Sequence, residues 1–180
     1  MTTANTAPPR LPLVQTPDDA LARDQFERLA AGRGILNLHR MMAYAPTLMK
    51  ASGDLALAFR HEAILPRALA EIVILRTAQV ARCDYEWERH VPLARTAGVS
   101  ERQIAEVSRW PQSAAFNAKE KSALKYAETL AAGGALDDRT FAELQRHFPA
   151  REIVALTMLV GFYVSTAIFI KALAIPDDNA

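Results

Sequence analysis

The sequence predicts an all-α fold, and three observations carry that expectation. Apolar residues recur at helical spacing, and no alternating run is long enough to make a useful strand. Capping residues, prolines and glycines fall where helices of ordinary length would begin and end. About half of the 180 residues are apolar, enough to bury a substantial core as one unit. A single domain over residues 16–175 is therefore expected, preceded by a loose polar and proline-rich tail over residues 1–15.

The elements follow in order. Thr16 with Pro17, Asp18 and Asp19 reads as a cap, a proline at the first helical position and acidic residues facing the helix dipole, so a helix is expected from about Pro17 to Ala31, stopping at Gly32. A short helix in ILNLHRMMAYAP ends before Pro46, and another restarts there. LPRALAEIVILRTAQVAR predicts a strong helix from about Pro66 to Arg82. The next begins near Cys83 or Asp84 and reaches Gly98, with Pro92 expected to bend or loosen it. Ser100 with Gln103 and Asn117 with Glu120 have the spacing of capping boxes, and Gly133-Gly134 is a suitable stop. Asp137 can cap a helix ending near His147, and Pro149 precedes a last apolar one.

That last segment, IVALTMLVGFYVSTAIFI, spans residues 153–170 without a charge, at the lower limit for a membrane span. Thr157, Ser165, Thr166, Gly161 and Tyr163 dilute it, and Glu152 and Lys171 bracket it closely, which favours a buried helix central to a bundle or to subunit contacts. A weak internal repeat lays Glu71-Ile72-Val73-Ile74-Leu75 over Glu152-Ile153-Val154-Ala155-Leu156; chance recurrence of Glu-Ile-Val in two buried helices is the other reading.

Composition excludes some classes of function. With 21 basic and 20 acidic residues and no basic stripe, a nucleic-acid partner is not expected. The start lacks the basic end and apolar run of a secretory leader, and one cysteine cannot form an intrachain disulfide; together they point to a reducing cytoplasm. No membrane partner is expected either.

The stretch CDYEWERH, residues 83–90, concentrates the chemistry. Cys83, Glu86 and His90 are spaced i, i+3 and i+7, so on a helix they share one face. The helix would begin near Cys83, placing unpaired backbone N–H groups where a thiolate or substrate anion could sit. Glu71 lies amid Ala70, Ile72, Val73, Ile74 and Leu75, where an unpaired carboxylate would be expensive to bury. It is expected to be exposed or to have a partner.

Glu71, eleven residues, Cys83, two residues, Glu86, three residues and His90, followed by VPLARTAGVSERQIAEV, resembles the signature of the carboxymuconolactone decarboxylase and alkyl hydroperoxidase D superfamily. The resemblance runs from about residue 30 to 175 and includes HRMMAYAP, the Ala-Gly-Val-Ser turn, the Asn-Ala-Lys-Glu-Lys helix start and the closing apolar helix. It implies an AhpD-like helical bundle assembling as homotrimers or homohexamers, with the motif at or near subunit contacts and without a cofactor. In the redox branch a Glu–His relay serves a Cys-x-x-Cys pair, whose second thiol attacks peroxide. Here Glu86 replaces that thiol, so the dithiol cycle cannot run within one subunit. Cys83 could still act alone, oxidised to a sulfenic acid and restored by an external thiol. Asp84, Glu86 and Glu88 crowd it with negative charge, opposing the help from the helix end and His90.

The decarboxylase branch lacks the cysteine pair and works by acid–base chemistry, which the Glu86-Trp87 dipeptide and same-face His90 resemble more closely. On this reading His90 is the acid, Glu86 its partner and Glu71 a supporting carboxylate, acting on a small carboxylated molecule. Arg76 and Arg82 are candidate anchors for its carboxylate on charge alone, and Tyr85 is a candidate lining residue.

Each residue also has an ordinary role. Cys83 suits a small buried packing residue, and Glu86 with His90 suits an i, i+4 surface pair. Tyr85 and Trp87 suit packing or oligomer contacts, and His39, His61 and His147 are scattered. No second histidine sits at ligand spacing, so no metal is expected. A non-catalytic oligomeric binding protein is the remaining class.

Overall fold

The computed structural model describes residues 8–32, 34–61 and 64–178. Among them are nine α-helices and one 3-10 turn, with no strand, so the all-α expectation holds. The chain divides into two compact units, Met1–His61 with Ile170–Ala180, and Glu62–Phe169.

The first unit contains α1 (Ala20–Ala30), α2 (Asn37–Met42) and α3 (Pro46–His61). Its core joins Ala22, Phe26, Ala43 and Met49, with Val14, Leu29, Ile35 and Met42 packed against them. The start of α1 lies three residues later than expected. Asp19 is the cap, its Oδ1 accepting from the Ala22 N–H at 3.0 Å, while the Pro17 and Asp18 carbonyls receive Arg23. The carboxylate wins over Thr16 because it sits at the spacing that reaches an orphan N–H of the first turn.

Of the tail, residues 1–7 lie outside the described residues, but the part from Arg10 onward is tied down rather than loose. The Arg10 N–H donates to Leu173 O at 2.9 Å and its guanidinium to Ala172 O at 2.7 Å, and Tyr44 donates to Pro12 O at 2.9 Å. The carboxyl-terminal end is held too, with the Asn37 N–H donating to Asp178 Oδ1 at 2.6 Å. His39 is structural, its Nδ1 accepting from the Leu36 N–H at 3.0 Å at the head of α2.

The second unit contains α4 (Arg67–Val80), α5 (Asp84–Thr96), α6 (Glu101–Glu106), a 3-10 turn (Val107–Arg109), α7 (Ala118–Ala131), α8 (Asp138–His147) and most of α9 (Ala150–Ala172). Helix α4 is apolar on nearly every side and is the hub, packing on α5 and α7 and burying every residue from Leu69 to Leu75. Ile72, Leu75, Ala94, Val99, Ile104, Val107, Phe116 and Leu124 form its surrounding core.

Every expected cap in this unit is present. Ser100 Oγ accepts from the Gln103 N–H at 3.2 Å while Gln103 Oε1 accepts from the Ser100 N–H at 3.1 Å, and Asn117 with Glu120 closes the same loop at 2.9 and 2.8 Å. Asp137 Oδ1 accepts from the Thr140 N–H at 2.7 Å; that bond and the Thr140 hydroxyl hold its carboxyl below the usual carboxylate range. His147 ends α8, paired with Glu143 at 3.3 Å, while the side chain of His61 lies outside the described residues. Helix α5 runs unbroken through Pro92, which sits on the exposed side where water can serve the carbonyl that the missing N–H abandons.

Helices α4, α5 and α7 close in one way, with a left-handed residue after the last turn and paired bonds back into the helix. Gly98 (φ 89°) and Gly133 (φ 69°) fill that position as expected. After α4 it is Arg82, at φ 52°, with Cys83 N–H bonding Ala78 O at 2.9 Å and Arg82 N–H bonding Gln79 O at 3.1 Å. A side chain there costs about 1 kcal/mol. Arg82→Gly is thus expected to raise stability by about 0.5 kcal/mol net of its greater unfolded-state freedom, read as a rise in urea midpoint. A fall in the midpoint contradicts this account.

Helix α9 is long and apolar enough to cross a membrane, but half of its most apolar window is buried within the fold, as in a core helix. Glu152 in its first turn pairs with Lys119 at 3.0 Å, whereas Glu71 is sealed inside α4, so the second copy of the weak repeat does not reproduce the first one's environment.

Candidate active site

Helices α4 and α5 pack side by side, and their connection is the left-handed turn at Arg82. That turn delivers Cys83 as the residue capping α5, with φ −120° and ψ 92°, and the Trp87 N–H bonds its carbonyl at 3.2 Å. Its side chain is buried at the helix end where orphan N–H groups converge. From that start the i, i+3, i+7 spacing turns Glu86 and His90 inward. Both are nearly sealed, at 3% and 7% exposure, and both Glu86 carboxylate oxygens are out of reach of solvent. The ordinary reading of an exposed i, i+4 pair is therefore excluded.

Glu71 reaches the same place from α4. It is 0% exposed, and its Oε2 lies 2.8 Å from His90 Nδ1. Its other oxygen, Oε1, accepts from Arg67 Nη2 one turn earlier on α4. So the carboxylate that was too expensive to bury alone has two partners, one on each oxygen. Arg67 is 32% exposed and links this interior array to the surface. The bond at Nδ1 favours the tautomer with its proton there and leaves Nε2 as the nitrogen able to exchange a proton with a bound molecule. The ring is steadied further by Tyr163, edge-on at 4.9 Å between centroids.

Arg67 was missed by sequence reasoning. Its signal was the i, i+4 spacing to Glu71, ordinarily read as surface helix support. Tyr163 lay inside the apolar run with no local mark at all.

Arg76, a candidate substrate anchor on charge alone, has its guanidinium engaged within the fold. Its Nη2 lies 2.9 Å from Glu128 Oε2 and its Nη1 donates to Gln79 at 3.0 Å, while Trp110 donates to the same Glu128 oxygen at 2.6 Å. It stitches α4 to α7. Arg82 is exposed at the turn, and Tyr85 is a buried core aromatic. Trp87 packs partly buried against the main core cluster. Among the described residues no group of three or more histidine, cysteine or acidic side chains is placed to hold a metal ion.

The family model for the carboxymuconolactone decarboxylase family matches residues 46–129, which takes in α4, the Arg82 turn and all of α5. Over those residues the chain is similar to the carboxymuconolactone decarboxylase family. It is 31% identical over 119 residues to the uncharacterized protein YnjA of Escherichia coli strain K12, a match spanning 65% of this chain and 65% of that relative's length. Its fold is similar to that of an uncharacterized peroxidase-related protein from Silicibacter sp. TM1040, with a TM-score of 0.81 at 18% identity, covering 99% of this chain and 96% of that one. It is also similar to the debrominase Bmp8, solved as a cysteine-to-alanine variant in complex with 2,3,4-tribromopyrrole, with a TM-score of 0.80 at 19% identity over 93% of this chain and 92% of that one.

Proposed function

We propose that this chain is an enzyme performing acid–base chemistry on a small carboxylated molecule, with His90 exchanging the proton through Nε2. The observation that carries this reading is the buried Glu71–His90 bond at 2.8 Å, backed by Arg67 on the far carboxylate oxygen. An imidazole held this way is oriented and able to carry charge, as a general acid must. For a decarboxylation, the C–C bond to the carboxylate breaks, carbon dioxide leaves, and the electron pair moves into a conjugated carbonyl as a dienolate. His90 then delivers its Nε2 proton to carbon and is left neutral, to be reprotonated from water. Glu71 compensates the imidazolium while it exists, and Glu86, buried on the same face of α5 as Cys83 and His90, supports the proton balance of the site. A small-molecule substrate, a homotrimeric or homohexameric assembly and a cytoplasmic setting belong to this proposal.

A second reading rests on Cys83. Its thiol is buried at the amino-terminal end of a thirteen-residue helix, and the similar debrominase was studied as a cysteine-to-alanine variant. As a thiolate it would take one oxygen from a hydroperoxide, becoming a sulfenic acid while the remaining alkoxide leaves as an alcohol; an external thiol would then restore it.

Cys83→Ser separates the two. Carbon dioxide release from a panel of unsaturated carboxylated lactones and keto acids is expected to persist in Cys83→Ser at no less than about a third of the parent rate, since serine keeps the packing and the acid–base pair is untouched. Thiol-dependent peroxide consumption by the parent, abolished in Cys83→Ser, together with no carbon dioxide release from any of the panel, would instead select the peroxidase reading.

A further inference from the structure

Of the groups that surround the buried Glu71–His90 pair, one alone reaches solvent to any extent. Glu71, Cys83, Glu86, His90 and Tyr163 are each no more than 7% exposed, whereas the Arg67 side chain is 32% exposed. Arg67 is the first residue of α4, one turn or about 6 Å before Glu71 along the helix. A guanidinium carries five N–H donors. Arg67 gives Nη2 to Glu71 Oε1, and among the described residues Glu71 is the only group that it bonds. Donors are therefore left over on a side chain open to water. Arg76, by contrast, divides its guanidinium between Glu128 and Gln79, and Arg82 stands past the other end of α4.

The leftover donors lie close to the chemistry. Arg67 and His90 sit on opposite oxygens of one carboxyl group, so only Glu71 separates the guanidinium from the imidazole. We infer that Arg67 is the anchor for the carboxylate of the bound molecule, taking it through donors that Glu71 does not use, so that the rest of the molecule extends toward His90. The inference rests on the acid–base reading above and names the side chain that selects for an anion. Arginine suits the task because its planar fork can serve two carboxylates on different edges, where a lysine offers a single point of charge. It also offsets the charge of Glu71, which would otherwise repel an arriving anion from inside a poorly screened interior.

The test is calorimetric titration of the full chain with sorbate, a small conjugated monocarboxylate, and with its neutral primary amide. A saturable dissociation constant on the order of 1 mM is expected for sorbate, given so few atoms. Arg67→Met is expected to weaken sorbate at least about tenfold while leaving the amide unchanged, since only the acid loses a charge-assisted bond. Arg67→Lys, which keeps a cation beside Glu71, is expected to be weaker than the parent by about threefold and shows that the loss is not a damaged fold. Sorbate is also expected to shift the ring C–H signals of His90 in the NMR spectrum of the parent. No binding of sorbate by the parent, equal affinity in Arg67→Met, an equal loss for acid and amide, or unmoved His90 signals would each overturn the inference. Arg67-dependent binding by a protein that releases no carbon dioxide from the panel would uphold the anchor and count against the acid–base reading alone. Turnover of a panel acid with KM unchanged in Arg67→Met would uphold that reading and overturn the anchor.

Discussion

Glu71→Ala is expected to lower the free energy of unfolding by about 3 kcal/mol, a large fraction of what holds a domain together. The wild-type carboxylate is fully buried and accepts from both Arg67 and His90. Alanine leaves the His90 Nδ1 without its partner in a dry interior, and leaves a void where four heavy atoms were. The arginine end contributes little of the loss, since its side chain is 32% exposed and can turn toward water. Glu71→Gln keeps the shape and one acceptor oxygen, so its cost is expected to be about half as large. Urea denaturation of the three proteins measures both values. An alanine variant within about 1 kcal/mol of the parent would mean that the array contributes little to stability.

His90→Asn is expected to slow turnover of a substrate found in the carboxylate panel by about 10²–10⁴-fold in kcat with little change in KM. Asparagine is small enough for the pocket and can still donate a hydrogen bond to Glu71, but its amide cannot carry and release a proton near neutral pH. The imidazole is 7% exposed and bonded to a fully buried acid, so water cannot easily substitute for it. Steady-state kinetics of the variant, with helix content checked by circular dichroism, provide the comparison. Retention of the full parental rate would remove His90 from the chemistry and overturn the acid–base mechanism built on it.

The two predictions draw on different links of the chain from residues to function, and they differ in how visible they were beforehand. The convergence of Cys83, Glu86 and His90 was legible because it depends on one helix and a spacing of three and four. The need for a partner to Glu71 was legible from its apolar neighbours, yet the identity of that partner was not, since the two residues are nineteen apart in sequence and meet only where α4 lies against α5. Arg76 shows the opposite failure. Its charge suggested a substrate anchor, and only the packing of α4 on α7 shows that Glu128 claims it.

By itself, then, the sequence determined the helices, their caps at Ser100, Asn117 and Asp137, the glycine stops at Gly98 and Gly133, and the shared face of the motif. All of these are decided within about one turn of backbone, where spacing alone says which groups can meet. Tertiary structure decided that Arg67, Glu71 and His90 form one array, that Arg76 is structural, and that a left-handed arginine rather than a glycine turns the chain into Cys83. Those outcomes depend on which helix faces which, and that is set by burying apolar surface over the whole core, a sum to which no single local spacing holds the answer.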